Sequence, residues 1–155
     1  MRLAISIAFL LLLSACAVPT YVPPDSQNQS ASASVQGSKA QILDAAVKAL
    51  IHNGYQITTV DNASGLISTA PQSMHVTPEQ ADCGRVKGVL ASADPLTYPQ
   101  PRTRVSFNIL VANNHIEVRS RIDDRLEPGS VQRTLACISR GVLEQEMLNE
   151  IKARL

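Results

Sequence analysis

The sequence predicts an α+β domain: a four-stranded antiparallel sheet of two hairpins, packed against an N-terminal and a C-terminal helix. The expected order is α-β-β-loop-β-β-α. Three observations predict it. Residues 38–53 and 142–155 repeat apolar side chains at helical spacing. Residues 55–70 and 102–122 read as strands around polar turns. Between the two hairpins, residues 71–101 carry Pro71, Pro78, Pro95, Pro99 and Pro101, which break any long element.

The first helix opens on Ser38 and Gln41, whose spacing is that of a capping box. Ile42, Leu43, Ala46, Val47, Leu50 and Ile51 form its apolar stripe, and Asn53-Gly54 supplies a left-handed stop. Residues 55–60 and 66–70 then pair across the turn 61–65, which is Asp-Asn-Ala-Ser-Gly. The second hairpin turns at Asn113-Asn114. That register sets Val111 opposite Ile116, Ile109 opposite Val118, Phe107 opposite Ser120 and Val105 opposite Ile122, so one face is almost wholly apolar. The other face pairs Asn108 with Arg119, Ser106 with Arg121 and Arg104 with Asp123. A slip by one residue would scramble both faces. Asp123 and Asp124 are read as part of a loop, and Ser130 as the cap of a helical turn carrying Leu135 to Cys137. Val142, Leu143, Met147, Leu148, Ile151 and Leu155 make the terminal helix, capped by Ser139 or Gly141, with Glu144 and Glu146 near its positive end.

Ahead of this domain, residues 1–15 have the parts of a secretory signal. Arg2 gives a positive start, residues 3–13 are apolar except for Ser6, and Ser14-Ala15 are small. The apolar run falls short of the ~20 residues that span a bilayer. Cleavage after Ala15 leaves Cys16 as the first residue. Residues 16–37 are expected to be a lipidated cysteine and a disordered tether, because prolines and then Ser, Gln, Asn and Ala cannot bury themselves. Such a tether reaches roughly 25 Å. Residues 38–155 are the single folded domain.

Composition narrows the function. With Arg2 removed, the 14 basic residues of the whole chain come level with its 13 acidic ones, and a formally neutral chain is no electrostatic nucleic-acid binder. Aromatics make up 3%, too few for stacking platforms. Of three cysteines, Cys83 and Cys137 remain once Cys16 is lipidated. An even remainder in an exported protein reads as a disulfide, which pins the irregular middle to the chain before the terminal helix.

The run Leu13-Ser14-Ala15-Cys16 resembles the lipobox of bacterial lipoproteins. The resemblance implies acylation of the Cys16 thiol and of the new amine. With Ala17 rather than Asp after the cysteine, it implies the outer membrane of a Gram-negative cell, facing the periplasm. Several acyl chains are needed because one holds a protein only marginally. A helix followed by Gly-Tyr-Gln-Ile-Thr, a polar turn and Ser-Gly-Leu-Ile-Ser-Thr also resembles the α-β-β opening of BamC-type (NlpB-type) outer-membrane lipoprotein domains.

No catalytic constellation is legible. His52, His75 and His115 have no zinc-site spacing, and neither a nucleophile elbow nor a phosphate loop occurs. No metal and no cofactor is expected. The surface feature that stands out is the polar hairpin face with Arg104, Arg119 and Arg121, joined by Arg102 and Arg125; it reads as an acidic-partner or headgroup site, or as a solvated face. The expectation is a non-catalytic envelope lipoprotein. It would be an accessory or interaction subunit of an outer-membrane assembly or secretion complex, with the membrane and envelope proteins as partners. The alternative is a small apolar ligand-binding module with its groove between terminal helix and sheet.

Overall fold

The computed structural model describes residues 20–87, 92–97, 103–126 and 133–155. The signal run 1–15, Cys16, Arg102 and Ser130 lie outside these residues. The elements are β1 (Thr20–Val22), β2 (Ser30–Ser34), α1 (Lys39–His52), β3 (Ile57–Asp61), β4 (Leu66–Thr69), β5 (Gln72–Ser73), β6 (Ala81–Asp82), β7 (Arg85–Lys87), β8 (Ser92–Ala93), a 3-10 turn (Pro95–Thr97), β9 (Arg104–Ala112), β10 (His115–Leu126), β11 (Arg133–Ser139) and α2 (Val142–Lys152).

The centre is the β9–β10 hairpin, and its nine residue pairs have the register read from the sequence, from Ala112 opposite His115 to Arg104 opposite Asp123. Val105, Phe107, Ile109, Val111, Ile116, Val118 and Ile122 are all buried on one face. Both helices lie on that face. α1 packs on β9 and β3, α2 on β10 and β2, and the helices touch each other. α1 begins as its capping box requires: the Ser38 hydroxyl accepts from the Gln41 N–H at 3.3 Å, and the Ser38 N–H donates to Gln41 Oε1 at 2.9 Å. Tyr55 meets Phe107 edge to face at 5.0 Å, closing the core where α1 hands over to β3.

The four-stranded α+β arrangement of two hairpins is overturned. Among the described residues the structure is mostly β, with an eight-stranded sheet and a second sheet of three strands beside two helices. The main path runs β3-β4-β9-β10-β11-β6, with β2 added to β10 and β5 to β9. All pairings are antiparallel, and the three-stranded sheet is β1-β7-β8. The hairpins survive as β3–β4 and β9–β10, joined side by side through β4 and β9.

Beyond the expected hairpins stand β1, β2, β5 to β8 and β11, and β10 runs on past its expected end. Ser30–Ser34, inside the stretch expected to be a spacer, alternates Ser and Ala with period 2. It pairs with His115 to Arg119, turning Ala31 and Ala33 toward the core. Leu135 to Cys137, expected in a helical turn, belong to β11 instead. Leu135 and Cys137 are buried while Thr134 and Ala136 between and beside them are exposed, the period of a half-buried strand. Asp123 and Asp124, expected in a loop, continue β10 opposite Ala136 and Leu135. Finally, the irregular middle contributes β5 to β8, none longer than three residues. The edge of β10 is therefore shared by two strands, β2 along its first half and β11 along its second.

Candidate functional site

The expected pairing of Cys83 and Cys137 is present, with the two Cα atoms 4.1 Å apart, slightly closer than the usual lower bound of about 4.4 Å. Both residues are buried. The bond fastens the end of β6 to β11, and β7 leaves directly from it. β1 then lies on β7, with Thr20 opposite Lys87, Tyr21 opposite Val86 and Val22 opposite Arg85. The Tyr21 hydroxyl donates to the Cys83 carbonyl at 2.9 Å. Gly84 makes this approach attainable: its φ is +77°, and a Cβ there would sit 2.3 Å from the Val22 carbonyl oxygen. The strand Thr20–Val22 is thus folded onto the disulfide.

A second set of contacts ties down the same N-terminal segment. Asn28 sits where β2 gives way to β11 along β10. Its amide donates to the Ser120 carbonyl at 3.1 Å and accepts from the Ser139 N–H at 2.6 Å. Beneath it, Glu144 of α2 is wholly buried. Its carboxyl accepts from the Ser120 N–H at 3.1 Å, from the Ser120 hydroxyl, and from the Ser139 hydroxyl at 2.6 Å. The Gly141 N–H donates back to Ser139 Oγ at 3.1 Å, and Gly141 itself is the N-cap of α2, without a side-chain cap bond. Sequence reading placed Glu144 only near a helix end. The signal for a buried acid was its position one step from Leu143 and three from Met147, on the apolar side of the helix.

The arginine face is less singular than the sequence suggested. Arg119, Arg121 and Arg104 are exposed on the sheet face opposite the helices. Arg119 meets Glu117 at 2.8 Å and Arg121 meets Asp123 at 3.1 Å, each two residues along the same strand. The hydrogen bond from Arg119 holds the Glu117 carboxyl below its ordinary range. The Arg104 guanidinium reaches the Pro71 carbonyl at 3.4 Å. Paired, exposed charges of this kind contribute about 0–1 kcal/mol each, and two of the three cations on this face are already neutralised.

Beside α1 and the β3 edge lies an open groove of about 550 Å³, lined by Lys39, Ala40, Leu43, Asp44, Val47, Val60 and Asn62. Val60 is 45% exposed there. A second space, beside β2 and α2, is bordered by Gln29, Arg140, Gln145, Glu146 and Asn149. Among the described residues, no cluster of three or more His, Cys, Asp or Glu could hold a metal. Among the same residues, no helix is long and apolar enough to cross a membrane. No family model and no curated protein matches the chain.

Proposed function

We propose that this chain is a lipid-anchored envelope protein that acts by binding rather than catalysis, as an accessory subunit of an outer-membrane assembly or secretion complex. The observation that carries the reading is the Cys83–Cys137 bond. A disulfide suits an oxidising compartment. It also accounts for every cysteine except Cys16, which follows the apolar run and small residues of a processed signal. The α-β-β order of α1, β3 and β4 agrees with the likeness to BamC-type domains.

Replacement of Cys16 by Ala tests it. The variant should lack acyl chains by intact mass and wash off membranes with salt. A Cys16→Ala protein that still fractionates as an integral membrane protein would falsify the lipid anchor.

The α1–β3 groove favours a second reading, a binding site for a small apolar ligand, since its volume falls in the range of ligand sites. An apolar fluorescent probe bound by the intact chain and released by Val60→Arg would support that reading. Binding unaffected by the substitution would remove the groove from consideration.

A further inference from the structure

We infer that the outward face of the β1-β7-β8 sheet rests on the bilayer surface, with Arg85 and Lys87 seated among anionic phospholipid headgroups. The inference rests on the lipid anchor at Cys16.

Directly opposed residues of antiparallel strands share a face. The registers therefore place Thr20, Lys87 and Ser92 in one row and Val22 and Arg85 in the next, all on one side. All five are exposed, whereas Tyr21, Val86 and Ala93 alternate to the other side and are half-buried. Chain length fixes how far this face lies from the membrane. Only four residue steps separate Cys16 from Thr20, and an extended chain covers at most ~3.3–3.6 Å per residue, or about 14 Å in all. The expected 25 Å tether is lost because β1 is already committed to β7. The sheet cannot swing away either, because Cys83 holds its root to Cys137 and Tyr21 is bonded to the Cys83 carbonyl.

Charge then selects the ligand. The ion pairs among described residues join Lys48 to Asp44, Arg119 to Glu117, Arg121 to Asp123, Arg140 to Asp82 and Arg154 to Glu150. None involves Arg85 or Lys87. Neither cation has an ion-pair partner among the described residues, while on the better-populated arginine face Arg119 and Arg121 are both paired. The field of an anionic membrane surface fades within a Debye length, ~8 Å at physiological salt, so the attraction requires the close approach that the short connection enforces. Val22, exposed on β1 opposite Arg85, adds an apolar contact at the interface.

The test uses the full lipidated chain in vesicles of phosphatidylethanolamine with phosphatidylglycerol, carrying a headgroup-attached quencher. A fluorescent amino acid replaces Ser92 in one sample and Thr59 in another. Thr59 is on β3, at the opposite end of the main sheet path from β6. Quenching should be severalfold stronger at Ser92. It should drop toward the Thr59 level with Arg85→Glu plus Lys87→Glu, in high salt, and in phosphatidylcholine alone. The pair Arg119→Glu plus Arg121→Glu should leave it unchanged. Equal quenching at the two positions, or quenching at Ser92 that ignores lipid charge, overturns the headgroup contact while leaving the anchor intact. A chain whose intact mass shows no acylation of Cys16 overturns both readings, so the two failures are separable.

Discussion

Nine consecutive residue pairs hold β9 to β10, and every second side chain along both strands is buried, nearly all of them apolar. The stretch from β5 to β8 shows the opposite economy. Its strands are two or three residues long, and its buried apolar side chains, among them Val76 and Ala81, are few and separated in sequence. The hairpin supplies its own core and register. The middle stretch borrows both, from β9 through β5, from β11 through β6, from the N-terminal segment through β1, and covalently through Cys83. The difference teaches where stability is local and where it depends on remote parts of the chain.

The largest way to break that contrast is to remove the covalent fastening. Cys83→Ala with Cys137→Ala opens a link spanning 54 residues, and chain-entropy reasoning puts the loss at up to about 4 kcal/mol. Urea unfolding should show the loss, and the reduced wild type should match the double variant. Smaller, and on the hairpin side of the comparison, is Glu144→Ala. It strands the buried Ser120 N–H and two hydroxyls without their acceptor, a cost of about 3 kcal/mol. Glu144→Gln should recover part of it, because one amide oxygen still accepts. The smallest effect sharpens the comparison by touching neither region's fastening. Arg119→Glu with Arg121→Glu alters exposed side chains but breaks two ion pairs of about 0–1 kcal/mol each, so it should lower stability by no more than about 2 kcal/mol. If that face binds a protein partner, the same pair abolishes copurification. Unchanged copurification assigns the face to solvent.

The same contrast explains what could be read from the sequence. Both helices and the β9–β10 register were legible because each rests on a long apolar period and local caps, which Ser38 and Gln41 supply for α1. The disulfide was legible from cysteine parity. β2 was not, because Ser-Ala-Ser-Ala-Ser has the composition of a linker; only its period of two betrays a strand, and Ala is a weak marker of burial. β11 was missed because Leu135 and Cys137 are too few to separate a period of two from a helical turn. The continuation of β10 through Asp123 and Asp124 ran against turn chemistry that β11 overrides by pairing. At the candidate site, Arg119 and Arg121 were placed on the right face, but their neutralisation by Glu117 and Asp123 depended on side-chain geometry. The Asn28–Glu144 cluster joins residues more than a hundred positions apart and has no local signature.

The claim that the two regions are fastened by different means is tested most directly by native-state hydrogen exchange on the full chain, oxidised and reduced. The account predicts that reduction strips protection from the strand amides of β1, β6 and β7 while those of β9 and β10 stay protected, lowered by no more than the global loss. Loss of protection in both regions together, or in neither, would contradict it.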